Sequence, residues 1–588
     1  MDIIKSILGE IELAGEAGNW RISARTESPE PGLEFIHLEL SSPKAATPPH
    51  LMLKWSTPQF DMQTRWHPTC HFNRYIPPDW GAPISSSLAV SAPVVQLINL
   101  KGRNRVLVAL SEAMRQINLK CGIREEDKTV CFSAELFSMP EAPITAYELI
   151  LRFDTRNLFY ADALRSAFEW YSVFPEYVPT AVPQAAFDPI YSTWYSFHQN
   201  LFAGDLEKEC ALAREYGLKG MIVDDGWQTD DNNRGYAFCG DWEISKRRFP
   251  DMRAHVEKVH KLGLKYIVWF SVPYVGQKSK NAERFKGKYL FFFPRAKASV
   301  LDPRFPEVRE FLISTYETAL REWGIDGFKL DFIDIFRFDG VDPAVAENYA
   351  GRDIRSLPES VDRLLSDVMA RLRAIKPEIL IEFRQNYIGP AIRKYGNMFR
   401  SNDCPGDVLS NRIQTIDLRL SSGNTAVHSD MLEWNPGDAP ENAALQILNI
   451  LFSVPQISVR FADLPEPHCR MLHFWLNFWM EHRDTLLNGS LKPYHPELNY
   501  PVVSAESEKE TVIAIYDSGQ CVTIDCEKGK KIYVVNASGC SELILDVRRK
   551  PVSAECFDTM GETAPFSLPE AGLVRTAIPE SGLLKLVF

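Results

Sequence analysis

The sequence predicts a multidomain chain with a central (β/α)8 barrel, flanked by an N-terminal β-sandwich and a small C-terminal β-sandwich. Three observations predict it. The chain has 588 residues, too many for one hydrophobic core. Between about residues 187 and 487, short apolar runs alternate with amphipathic stretches of helical period. On both sides of that region the pattern reverts to short alternating strands divided by Pro- and Gly-containing turns.

In chain order, residues 1–180 carry segments such as 33–40, 106–110, 130–136 and 147–153, whose alternation suits a sandwich with one face of each sheet buried. Residues 161–174 read as a connecting helix and 175–189 as a proline-punctuated linker. The barrel is expected over 185–488. Its eight strands are 190–195, 220–225, 266–270, 326–332, 379–383, 397–400, 426–429 and 456–459. The helices between them are read at 206–216, 256–262, 307–323, 361–375, 388–395, 408–420 and 443–452. A doubly wound parallel sheet is the other arrangement this alternation allows. A strongly apolar helix, 466–487, closes the region, and 489–588 return to short strands as a C-terminal β-domain.

Composition excludes several classes. The residues are 45% hydrophobic and 24% charged, an ordinary globular balance. A net charge of −12 with no basic run argues against a nucleic-acid partner. No stretch approaches the ~20 apolar residues of a membrane span, and residues 1–8 lack a signal-like apolar run, so a cytoplasmic location is expected. The 11 cysteines are scattered without Cys-x-x-Cys pairs, which suits reduced thiols rather than a disulfide framework or a zinc site. With no Gly-rich phosphate loop either, neither a metal nor a cofactor is expected. A homo-oligomer is compatible with the large β-additions.

The fourth strand holds the most informative residues. Lys329 and Asp331, two apart, share one side of an otherwise apolar strand, an expensive placement unless the charges are paired and used. In such a barrel, polar residues at the C-terminal strand ends form the site. Those ends here offer Asp224 and Asp225, Lys329 and Asp331, Glu382 and Arg384, Arg400 and Asp403, and His428 with Asp430. Taken one at a time, Asp230, Asp334, Asp430 and Asp463 read as loop caps or solvated charges. Paired carboxylates among tryptophans point to glycoside hydrolysis, in which one carboxylate attacks or activates water and the other protonates the leaving oxygen.

An ordered series of motifs strengthens this. Asp224-Asp225-Gly226-Trp227, Gly240-Asp241-Trp242, Leu301-Asp302-Pro303 and Phe328-Lys329-Leu330-Asp331 together resemble the α-galactosidases of glycoside hydrolase family 36, the melibiase-like enzymes, and more distantly family 27. The resemblance covers roughly residues 185–485 and the order of domains. It implies a retaining, exo-acting hydrolase that frees terminal α-galactose from an oligosaccharide or glycoconjugate. Under it, Asp331 is the nucleophile and Lys329 binds sugar hydroxyls. Asp224 and Asp225 bind the C4 and C6 hydroxyls, and Trp242 and Trp194 line the sugar pocket. Asp403 is the acid/base, with Asp407 as the alternative, and Arg400 lies beside it. Two departures stand out. The third strand ends in Trp269-Phe270-Ser271-Val-Pro273, and the fifth in Glu382-Phe-Arg384-Gln385-Asn386, whose larger polar groups alter contacts around C2 or the aglycone. The competing readings are α-N-acetylgalactosaminidase or transglycosidase action on the same site, a non-catalytic sugar-binding protein, and a lyase using Lys329 as a Schiff-base nucleophile.

Overall fold

The computed structural model describes residues 3–139, 141–231, 233–384 and 387–588. At its centre eight parallel strands run in the order 426–428, 398–400, 380–384, 327–331, 265–271, 220–223, 190–192, 456–457. The ring closes between the strands numbered seven and eight along the chain: Val454 N–H donates to Val427 O at 2.8 Å and Ser429 N–H to Val454 O at 3.0 Å. All eight expected strands are present, and the alternative of an open doubly wound sheet is excluded.

The inward side chains change character along the barrel axis. At the N-terminal end Ile190, Ile222, Ile267, Leu380, Met398 and Ala426 form an apolar layer. A 3-10 turn, Gln184–Phe187, plugs this end with the fully buried Ala186. One pleat higher the inward positions become polar: Asp224, Lys329, Glu382, Arg400, His428 and Gln456 are all buried. Register explains the layering, because Lys329 lies beside Glu382, and Arg384 beside Arg400 and then His428. The apolar layer is a floor under the polar one, and the polar layer leads to the mouth.

Two glycines permit this packing around the fourth strand. Gly324 ends the helix Pro306–Trp323 in the left-handed conformation, φ 74°. At Gly327 a Cβ would come within 2.3 Å of Leu380 O, so only glycine lets strands four and five approach there.

Before the barrel, two six-stranded sheets face each other over a shared core that includes Ile36, Leu53, Val108 and Leu119. After it, a six-stranded and a three-stranded sheet enclose a smaller core around Ile532 and Leu545. Among the described residues no helix is long and apolar enough to cross a membrane.

The sandwich is fixed to the barrel by a buried ion pair. Arg74 donates to both oxygens of Asp417, at 3.2 and 2.9 Å, and Asp417 also accepts from Trp66 Nε1 at 2.9 Å and Tyr500 Oη at 2.6 Å. Asp417 sits on the barrel helix Val408–Ser421, and Tyr500 belongs to the C-terminal region. Asp417→Asn leaves Arg74 as an uncompensated buried charge, and a loss of about 3–5 kcal/mol is expected in urea unfolding followed by tryptophan fluorescence. The double variant Arg74→Met/Asp417→Leu should recover much of it. An Asp417→Asn protein as stable as the parent contradicts this account.

Three local expectations are corrected. Residues 388–395 do not form a helix but only a 3-10 turn, Ile392–Lys394. Gly389 and Pro390 interrupt the helical pattern, and Gly389, at φ 142°, packs against Ser91 O of the sandwich. The first strand ends at Ser192, and Trp194 and Tyr195 open a short helical turn, Trp194–Phe197. The third barrel strand is followed by a small antiparallel sheet, 274–276, 289–293 and 298–301, that the alternation did not signal.

Candidate active site

The site is built at the C-terminal ends of strands two to seven. Strand four is Gly327–Asp331, one residue shorter at each end than expected, and it stops at Asp331 because Phe332 turns into the left-handed region at φ 65°. That turn is unusual for a bulky residue. It points the Phe332 N–H back at the Asp331 carboxylate, 2.8 Å from Oδ1. Oδ1 also accepts from Tyr387 Oη at 2.7 Å and faces Arg384 Nε at 2.7 Å. Oδ2 accepts from the Trp269 indole at 3.0 Å. With two hydrogen-bond donors and the Arg384 guanidinium on Oδ1, and one donor on Oδ2, Oδ2 keeps the freer lone pair. Burial alone would raise the Asp331 pKa. Arg384, then Lys329, and the bonds from Trp269 and Tyr387 more than offset this and hold it below the ordinary carboxylate value.

Lys329 is not the ion-pair partner of Asp331. Its Nζ lies 2.6 Å from Asp224 Oδ2 across the barrel, and both residues are buried. Lys329 therefore acts on Asp331 only through space, more weakly than Arg384. Asp224 is further held by its own N–H donating to Thr193 Oγ1 at 3.0 Å. Asp225 turns away from this pair: it accepts from Gln199 Nε2 at 2.6 Å and Gln228 Nε2 at 2.5 Å. Burial pushes its carboxyl up to about 6.

Arg384 stands at the centre of the mouth. Its Nε contacts Asp331, and its Nη1 lies 3.7 Å from Asp403 Oδ2, so one guanidinium reaches both carboxylates. Phe332 lies under it at 4.9 Å, and Tyr387 Oη accepts from it at 3.1 Å. The neighbouring Gln385 and Asn386, singled out in the sequence, fall outside the described residues. Arg400, fully buried, donates to Asp403 Oδ1 at 2.7 Å and also to Asp430. Arg400, then Arg384 and Lys329, overcome the effect of burial and hold Asp403 far below the ordinary carboxylate value, although its side chain is 43% exposed at the mouth. Asp407, the alternative to Asp403, caps the helix Val408–Ser421 by accepting from Ser410 N–H at 2.9 Å, and is exposed.

Two residues take unexpected places. Trp242 stands one ring back from the carboxylates, packed on Trp227 and Phe270 and against the edge of Trp269. Trp269, inward-facing on strand three, is the tryptophan that touches Asp331. Asp430 is neither a cap nor a solvated charge. It is fully buried and accepts from Tyr195 Oη at 2.8 Å and Cys404 N–H at 2.6 Å. Burial, and repulsion by Asp403, raise its pKa. Trp194 remains at the rim, half-buried, its ring 4.7 Å from His198. Asp230 and Asp463 are exposed, as expected of loop residues. The structure thus gathers Asp331, Asp403, Asp224, Lys329, Arg384 and Arg400, sets Asp225 and Trp242 behind them, and adds Trp269, Tyr387, Tyr195 and Asp430. An indole facing the barrel interior must find an acceptor, so the pleat of strand three carried a usable signal for Trp269. Tyr387 lies in a loop, where no periodicity marks it.

Fold and site together define a (β/α)8-barrel protein with carboxylates and guanidinium groups in its mouth and a β-domain on either side. Residues 188–349 match the Melibiase family model. In sequence the chain is similar to α-galactosidase Mel36A of Lactobacillus acidophilus, 29% identical over 149 residues, which are 24% of this chain and 19% of that protein. It is also similar to α-xylosidase XylQ of Lactiplantibacillus pentosus, 27% identical over 134 residues, which are 20% of this chain and 17% of that protein. Each match therefore spans under a fifth of the curated relative's length. In structure, a variant of the GH36 α-galactosidase AgaA from Geobacillus stearothermophilus, in complex with raffinose, aligns over 97% of this chain and 81% of that one. The TM-score is 0.63 and the identity 13%, a likeness of fold. The chain resembles the family 36 α-galactosidases in its motifs and in the order of its barrel and β-domains.

Proposed function

We propose that the chain is a retaining, exo-acting α-glycoside hydrolase that releases terminal α-linked galactose from oligosaccharides or glycoconjugates. Residues 185–488 form its catalytic domain. The observation that carries the reading is the pair Asp331 and Asp403, two carboxylates in one mouth, both within reach of a single guanidinium. The motif match around Asp224 and Asp331, and the raffinose complex of the AgaA variant, favour galactose and an oligosaccharide.

In this mechanism Asp331 Oδ2 attacks the anomeric carbon. The bond to the leaving oxygen breaks, and that oxygen takes the proton of Asp403. Asp403 then removes a proton from water as it displaces Asp331, so the configuration is retained. Lys329 and Asp224 meet the sugar hydroxyls as a charged donor and acceptor, and Trp194 offers an apolar ring at the rim. The cations around Asp331 keep it ionised for attack. Arg400, with Arg384 and Lys329, keeps Asp403 ionised as well. For Asp403 to act as the acid, substrate entry must weaken the hold of Arg400 and Arg384 on its carboxylate, so proton uptake accompanies substrate entry.

Hydrolysis of nitrophenyl α-galactoside, α-N-acetylgalactosaminide, α-xyloside and α-glucoside tests the assignment, with products analysed in the presence of an acceptor sugar. Preferred hydrolysis of the galactoside with retention supports it. A preference for the xyloside, on which the resemblance to XylQ would bear, moves the reading to another α-glycosidase on the same site. No turnover of any member overturns it.

A further inference from the structure

A second cavity, of about 1060 Å³, lies at the opposite, N-terminal end of the barrel. The helix Tyr160–Tyr171, the linker before the first barrel strand, the start of strand seven and the end of the helix Glu466–Asn488 meet around it. Three arginines line it, Arg165, Arg393 and Arg419, against one acid, Glu169, in a chain of net charge −12. The local excess of positive charge is thus a property of the cavity and not of the chain.

The three arginines differ in how they are compensated. Arg165 pairs with Asp162 and donates to Leu491 O at 3.0 Å. Arg419 donates to Leu486 O at 3.1 Å and Leu487 O at 2.6 Å, so the C-terminal dipole of the last helix balances it in part. Arg393 feels the charge of Glu169 only through space. It is 4% exposed, and among the described residues its hydrogen bonds go to neutral oxygens: Asn424 Oδ1 at 3.1 Å, Thr425 Oγ1 at 3.4 Å and Ser172 Oγ at 3.4 Å. Burial pushes Arg393 and Arg419 each down to about 10. Arg74, also deeply buried, is by contrast ion-paired with Asp417.

A buried guanidinium with no carboxylate in contact is costly unless an anion completes it. The planar fork of Arg matches phosphoryl oxygens in two-pronged fashion, and the hydroxyls of Ser172 and Thr425 can add further donors. We propose that this cavity binds a phosphate-bearing small molecule, with the phosphoryl group on Arg393 and further positive charge from Arg165 and Arg419. The site lies at the far end of the barrel from Asp331 and does not depend on the glycosidase reading.

Thermal unfolding of the full chain tests this without any activity assay. Inorganic phosphate, and separately a hexose phosphate, are titrated against sodium chloride at matched ionic strength. A saturable rise in Tm with phosphate beyond that with chloride is expected, growing with ligand concentration. Arg393→Met should abolish that rise while leaving the Tm in chloride unchanged or higher, because a buried charge with no carboxylate in contact has gone. Arg165→Gln, at a more exposed position, should weaken the apparent phosphate affinity about tenfold and serves if the first variant does not fold. Tighter binding of the hexose phosphate than of inorganic phosphate assigns an organic ligand, and equal binding assigns free phosphate. No phosphate-specific rise, or an undiminished one in both variants, overturns the site.

Discussion

Asp331→Asn lowers kcat on an aryl α-galactoside by roughly 10⁴-fold or more, the scale on which loss of a covalent nucleophile is felt. The substitution is nearly isosteric. The amide oxygen can still accept from Phe332 N–H and Tyr387 Oη, which now hold Oδ1 at 2.8 and 2.7 Å. The Asn NH2 group, however, faces the Trp269 indole N–H that now donates to Oδ2 at 3.0 Å. One donor–donor contact and the loss of charge beside Arg384 are therefore the whole local disturbance, and circular dichroism should be unchanged. A stronger test removes the side chain. In Asp331→Gly, azide can enter the vacated space and attack the anomeric carbon from the same face, giving β-galactosyl azide. Formation of that product identifies Asp331 as the nucleophile. Near-parental kcat in Asp331→Asn, or azide rescue giving the α-azide, removes it from that role.

The fold was legible because its two signals are periodic. Alternation of strand and helix places all eight strands, and side chains two apart place Lys329 and Asp331 on the inner wall with Glu382 and Arg384 beside them. What stayed hidden is pairing across the barrel. A sequence shows Lys329 next to Asp331, but the barrel's curvature brings Asp224 to within 2.6 Å of Lys329, 105 positions away in the chain. Arg384 was visible as a polar strand end, whereas its contact with two carboxylates depends on the stagger of strands four to six. Trp242 misled for the opposite reason. Its motif is local, but it sits at φ 56° in a loop that folds its ring behind Trp269. Asp430 looked like a loop charge because its partners, Arg400 and Tyr195, come from strand six and the turn after strand one.

The same geometry makes the acid/base assignment testable through the leaving group. Asp403→Ala should cost roughly 10²–10⁴-fold on a galactoside whose leaving oxygen needs a proton. It should cost little on a dinitrophenyl galactoside, whose departure does not. With azide the Asp403→Ala enzyme should yield α-galactosyl azide, the retained product, since the nucleophile is intact. The pH profile adds a second, independent reading. In kcat/KM, which reports the free enzyme, the proposed mechanism requires Asp331 ionised and Asp403 protonated. Arg384 is the strongest of the cations lowering Asp331, and the second, after Arg400, of those lowering Asp403. Arg384→Met therefore raises both carboxyls, and both limbs of the profile move to higher pH. Arg400 and Lys329 still face Asp403 and lower its carboxyl, so the basic limb moves only part of the way towards the ordinary carboxylate range. A rigid structural arginine would lower kcat without moving either limb. If Asp403→Ala slows every galactoside equally, or if Arg384→Met leaves both limbs in place, the proton comes from another group, and the buried Asp430, joined to Asp403 through Arg400, is the next to replace.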